Sequence, residues 1–136
     1  MYSITELIPQ RAPIVMVDRF LGLDEANVSR SQLTVRNDNI FVENGRMDEC
    51  GVMEHIAQSA AARVGFICRQ NGKDIPLGYI GSINNFQLMR HPKTDETIVT
   101  KITIVQEVFN ISLIEAQCRV DDECIATCRM KIYLEQ

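Results

Sequence analysis

The chain has 136 residues, 46% of them hydrophobic and 24% charged, which is the size and make-up of one globular domain, spanning 1–136. A net charge of -4 without any basic block excludes a nucleic-acid footprint, and no apolar run reaches the length of a membrane span. Five cysteines (Cys50, Cys68, Cys118, Cys124 and Cys128) are odd in number and lack metal-ligand spacing, and the first six residues lack the pattern of a signal peptide; a reduced, cytoplasmic protein with no metal is the expectation.

In chain order, residues 3–8 read as a short helical turn ended by Pro9. Residues 14–23 are rich in Val and Ile and lie between Pro13 and a Gly22-Leu23-Asp24-Glu25 turn signal, so a strand is predicted there. Residues 27–35 alternate. Val28, Arg30, Gln32 and Thr34 share one face, and Ser29, Ser31, Leu33 and Val35 the other, which predicts a half-exposed strand pairing back on the first. Residues 36–49 are polar and turn-rich and read as a long loop. A helix follows over 51–70, ended by Asn71-Gly72. Four long strands take up the rest, at 77–90, 97–109, 111–120 and 124–134, with a hairpin turn at Asp121-Asp122. Cys124 and Cys128 share a strand face and read as small apolar fillers.

Two strands, one long helix and four long strands make an α+β arrangement. One helix cannot cover both faces of such a sheet, so a curved antiparallel sheet of about six strands should wrap around it. That is the hotdog architecture. Its edge strands are left unpaired, which predicts a homodimer joined through a strand edge.

The helix is apolar or small on nearly every side yet carries Glu54 near its start. A carboxylate among alanines is costly unless it is paired or used, which makes it the leading catalytic candidate. Gln58 lies one turn on, along the same face. His55 is rotated about 100° away, the position of a core or interface histidine. His91 precedes Pro92 and reads as a solvated turn residue, while Asp48 and Glu49 suit the helix start. Ala57, Ala61 and Gly65 recur every four residues, as close packing requires.

Three segments carry a family resemblance. Residues 8–19, Ile-Pro-Gln-Arg-Ala-Pro-Ile-Val-Met-Val-Asp-Arg, resemble the opening L-P-H-R-x-P-x-x-x-V-D-R of beta-hydroxyacyl-ACP dehydratases. Glu54-His55-Ile56-Ala57-Gln58 resembles their helix signature E-x-M-A-Q, and Gly81-Ser82-Ile83-Asn84-Asn85-Phe86 their G-x-x-x-x-F strand. Asn44-Gly45-Arg46-Met47 and Ala60-Ala61-Ala62 are most similar to the dehydratase-like branch associated with aryl-polyene biosynthesis.

The resemblance implies a 3-hydroxyacyl thioester substrate on an acyl carrier protein or CoA, and no cofactor. It implies that Glu54 faces the substrate hydroxyl and that Gln58 orients that carboxylate or binds substrate. The helix-start amides of Gly51 and Val52 would face the thioester carbonyl. Phe41, Met47, Met53 and Phe86 would wall the acyl channel. Arg11, Arg36, Arg46, Arg90 and Lys93 are candidates to meet an acidic carrier or its phosphopantetheine phosphate.

The chain also departs from the family. The loop before the helix has Ile40-Phe41-Val42-Glu43 where the family has H-F-P-G, whose histidine is the base, and Gln10 replaces the histidine of the opening motif. His55 is then a candidate replacement base. Two alternatives remain beside dehydration. One is a hotdog thioesterase, which needs no loop histidine. The other is a non-catalytic acyl-binding or partner subunit, as in hotdog assemblies that pair an active with a degenerate protomer.

Overall fold

The computed structural model describes residues 2–135; Met1 and Gln136, the two ends of the expected domain span, lie outside the described residues. After a single 3-10 turn at Ile4–Glu6 come β1 (Arg19–Leu23), β2 (Ser29–Thr34), a minute hairpin of β3 (Val42–Glu43) and β4 (Arg46–Met47), and helix α1 (Glu49–Gln70). The chain then runs through β5 (Gly78–Leu88), β6 (Thr97–Val108), β7 (Ile111–Val120) and β8 (Glu123–Leu134). Six strands form one antiparallel sheet in the order β1-β2-β6-β7-β8-β5. α1 touches both edge strands, β1 and β5, as well as β2 and β6, so the sheet curves around it. This is the hotdog fold. Register shifts in β1, β5, β6 and β7/β8 supply the local bends that such curvature needs.

The core follows from the two periodicities. Val52, Ile56 and Ala60 of α1 pack with Leu33, Ile98, Ile102 and Met130 of the sheet, all at most 2% exposed. Ile98, Thr100 and Ile102 are the inward positions of β6, as the alternation required. A second cluster ties the C-terminal half of the helix to the N-terminal segment through Leu7, Ile8, Phe20 and Ala62, with Phe66 beside them. Asp48 is the helix N-cap, its Oδ1 accepting from the Cys50 N–H at 3.2 Å. Gly72, at φ +64°, follows the Asn71 C-cap.

Three sequence expectations are adjusted. The strand expected over 14–23 begins only at Arg19, because the peptide groups of Ile14 and Met16 bond helix side chains instead of a neighbouring strand. The loop over 36–49 contains the β3–β4 hairpin, turned by Asn44-Gly45 with φ +54° and +74°, the pair that a tight hairpin favours. The helix is less uniformly buried than its composition suggested. The sheet buries one side, while Met53, Glu54, Ala57, Ala61 and Val64 form a half-exposed stripe on another.

Gly65 marks the closest approach of helix and N-terminal segment: a Cβ there would land on the Leu7 carbonyl. Replacing Gly65 by Ala is expected to destabilise the fold by about 3 kcal/mol, because backbone rather than a flexible side chain must yield. Thermal unfolding should show Tm lower by roughly 10 °C.

Candidate active site

The site is built on residues 14–16, which run alongside α1 without joining the sheet. The Met16 N–H donates to Gln58 Oε1 at 2.6 Å, and the Gln58 Nε2 donates to the Ile14 carbonyl at 2.8 Å. A backbone N–H can only donate, so the orientation of the Gln58 amide is settled: oxygen toward Met16, NH2 toward Ile14. The second NH2 hydrogen reaches Glu54 Oε1 at 2.8 Å. Gln58 is fully buried, and every one of these bonds is made in a setting where a lost partner is expensive. It therefore holds the Glu54 carboxylate in one place.

Glu54 itself is half-exposed in the single chain. It stands at an apolar chamber of about 340 Å³ between α1, the N-terminal segment and the β5 edge. Ala57, Ala60, Ala61 and Val64 form the helix wall, and Ile132 and Leu134 belong to the opposite side. Small residues at helical spacing thus leave room as well as packing closely. Gln10 is the other polar side chain of this lining.

His55 is turned to the sheet side of the helix, away from this chamber. Its Nδ1 lies 2.7 Å from the Met16 carbonyl and its Nε2 2.8 Å from Thr100 Oγ1. The carbonyl can only accept, so Nδ1 carries the proton. Thr100 Oγ1 also lies 3.1 Å from Cys118 Sγ, whose thiol burial pushes up to about 12. Burial drives the imidazole down to about 4, against the bond to Met16. A neutral ring with both nitrogens occupied braces the core, and His55 is not among the residues that line the chamber.

The remaining candidates fall elsewhere. Gly51 and Val52 both donate their N–H to the Asp48 carbonyl, at 3.0 and 3.3 Å, so neither amide stands open at the helix start. Gly51 is small because a Cβ would sit 2.6 Å from Phe41 Cβ. Phe41 and the fully buried Met47 line a second cavity of about 470 Å³ at the helix start, with Asp48 and His91. His91 is half-buried there and donates Nδ1–H to the Met47 carbonyl at 2.7 Å, so it is not a solvated turn residue. Phe86 packs on the main core and lines neither cavity. Of these residues the structure bonds Glu54 and Gln58 to each other; Phe41 and Met47 line the other cavity, and Gly51, Val52 and Phe86 line neither.

Of the basic candidates, Arg11 is folded onto the Thr5, Ile8 and Gln10 carbonyls. Arg36 pairs with Asp18, and Arg90 with Glu96 and Glu123. Arg46 and Lys93 are exposed and bridged through their backbones beside the helix-start cavity. Among the described residues, no three His, Cys, Asp or Glu side chains gather as a metal site.

Compared with known proteins, residues 2–136 match the ApeP-like family, described as ApeP dehydratase. The chain is 22% identical over 130 residues to the 3-hydroxyacyl-[acyl-carrier-protein] dehydratase FabZ of Xylella fastidiosa strain M12, covering 91% of this chain and 81% of that one. Among solved structures, it is similar to a chain of the dehydratase heterocomplex ApeI:P from Xenorhabdus doucetiae, with TM-score 0.91, 15% identity, and coverage of 100% of this chain and 93% of that one. A hypothetical thioesterase with coenzyme A from Streptococcus pneumoniae TIGR4 has TM-score 0.68 at 8% identity, covering 86% of this chain and 84% of that one. At these identities the structural likenesses show the shared fold.

The His55 geometry has a measurable consequence. The unfolded chain binds a proton at this residue below its ordinary 6.5, whereas the folded chain does so only near 4. Stability from this group is complete above pH 6.5, falls as pH drops toward 4, and changes no further below that. Urea unfolding at pH 7.5 and 4.5 should show a loss that exceeds that of His55→Gln by roughly 2–3 kcal/mol.

Proposed function

Because the chain belongs to the ApeP-like dehydratase family, we propose that it acts as a 3-hydroxyacyl-[acyl-carrier-protein] dehydratase-like protein in fatty-acid or aryl-polyene-type biosynthesis, with Glu54 as the acid. The observation that carries this reading is the Glu54 carboxylate, fixed by Gln58 at an apolar chamber of about 340 Å³. The acyl chain lies along the alanine wall, and the 3-hydroxyl meets Glu54. In the elimination a base removes a proton from C2, the C3–O bond breaks, and the C2=C3 double bond forms. Glu54 gives its proton to the departing hydroxyl, which leaves as water.

The base comes from outside this chain's own chamber. His55 is committed to Met16 and Thr100, and the loop position that bears histidine in the family is Ile40. We therefore place the reaction in a dimer joined along the free edge of β5. Exposed Leu77, Ile80, Ile83 and Met89 on and beside that edge, with the half-open stripe of α1, support such an assembly. A second copy of this chain would bring another Ile40. A hotdog partner carrying the loop histidine completes the site, and similarity to a chain of a dehydratase heterocomplex supports that choice over the homodimer expected from the sequence. Arg46 and Lys93, exposed near the helix start, are proposed to meet the acidic carrier. A cytoplasmic setting suits this chemistry and the five unpaired cysteines.

The assembly, purified with its native partner, should convert a 3-hydroxyacyl-carrier substrate to the enoyl product, followed by mass spectrometry. Glu54→Gln should lower turnover by about 100-fold or more with Tm nearly unchanged. Full activity in that variant overturns the assignment of Glu54, and release of free thiol without enoyl product turns the reading to a thioesterase.

A further inference from the structure

Thr100 stands where an aliphatic residue would suit the core. It lies between Ile98 and Ile102 on the inward face of β6, and all three are fully buried. Valine would fill the same space without a buried hydroxyl to satisfy. The hydroxyl has a use, because Thr100 Oγ1 lies 2.8 Å from His55 Nε2. The Met16 carbonyl, 2.7 Å from Nδ1, takes the one proton of the neutral ring. Nε2 is left with a lone pair only, so the Thr100 hydroxyl donates to it. Thr100 Oγ1 then accepts, and Cys118, its register partner on β7, offers its thiol proton at 3.1 Å. The directions continue toward the chamber. The Met16 N–H donates to Gln58 Oε1 at 2.6 Å, and Gln58 Nε2 to Glu54 Oε1 at 2.8 Å. Backbone carbonyls cannot donate and a backbone N–H cannot accept, so no link in this relay can reverse.

Resting on the acyl-thioester reading above, we infer that Thr100 is a positioning residue for the reaction. Through His55, the Met16 backbone and Gln58, its hydroxyl fixes the direction in which the Glu54 carboxylate faces the substrate. Without that hydroxyl, His55 Nε2 is a buried acceptor with no donor, and turning the ring to find one breaks the bond to Met16. Residues 14–16 then lose one of their two attachments to the helix, and Gln58 loses the fixed backbone that orients its amide. A carboxylate that points the wrong way is a poor acid even when the substrate sits correctly. Thr100, His55 and Met16 do not line the chamber, so the space that receives the acyl chain is the same with or without the relay. The effect therefore falls on turnover and leaves binding alone.

The test compares Thr100→Val and Thr100→Ser in the native assembly, by steady-state dehydration of a 3-hydroxyacyl-carrier substrate and by nitrogen–proton NMR of the Gln58 side-chain NH2. Thr100→Val, which keeps the shape and removes the donor, should lower kcat by about tenfold and change KM by less than about twofold. The Gln58 NH2 signals should shift in the same variant. Thr100→Ser, which keeps the hydroxyl, should restore both the rate and the signals. Thr100→Cys, of similar shape and a weak donor, serves if the valine variant does not assemble. A fall in Tm alone, with kcat and the Gln58 signals unmoved, overturns the inference, and so does a serine variant as slow as the valine one. A wild-type assembly that forms no enoyl product overturns the acyl-thioester reading instead, and the Gln58 signals then decide the relay by themselves.

Discussion

The peptide group of Met16 is held from both sides by one helix. Its N–H goes to Gln58 and its carbonyl to His55, and much of the site depends on that capture. It takes residues 14–16 out of the sheet ladder and lays them along α1. It requires the His55 proton to sit on Nδ1, burial keeping that ring neutral, and it requires the Gln58 oxygen to face inward. With the oxygen and one N–H spent on backbone, a single hydrogen of Gln58 is left, and Glu54 receives it. Three consecutive needs of buried polar groups thus determine where one carboxylate points. No strong electrostatic field is involved, only the cost of leaving any of these groups unpaired.

The division of the helix into faces explains why Glu54 and the chamber sit on one side of it. Val52, Ile56 and Ala60 fill the space under the sheet, and His55 and Ser59 form a polar seam beside them that is closed to solvent. The stripe through Glu54, Ala57, Ala61 and Val64 has no layer over most of it, because the curved sheet reaches only as far as β5. A helix wrapped from one side leaves a chamber on the other, and a protein with one helix has nothing of its own to close it. The same geometry exposes the β5 edge. The open edge and the open chamber therefore have one physical origin.

The sequence made most of the architecture legible. Alternation in β6 to β8, the length of α1 and the Asn71-Gly72 stop placed the long elements within a few residues, because burial on one face imposes period 2 on strands and the breakers are local. The signature around Glu54 and Gln58 was legible as well. The short β3–β4 hairpin was not, although Asn44-Gly45 signals such a turn, because two-residue strands leave no periodicity to read. Nor was the late start of the first strand: Ile14 to Val17 have strand-like side chains, and only Gln58 and His55, 42 and 39 residues beyond Met16, divert their backbone.

The functional residues divide in the same way. Sequence alone determined the family, the wrapped helix, the single carboxylate with its amide one turn later, and the absence of the loop histidine, since each of these is a matter of residue identity and short spacing. Tertiary structure decided that His55 braces the core, that Gly51 and Val52 spend their amides on Asp48, and that Phe41 and Met47 line a cavity apart from Glu54. It also moved Gln10 from a motif departure to the wall of the chamber. The reason is that a buried polar group answers to whichever partner lies within about 3 Å, and segments remote along the chain supply that partner.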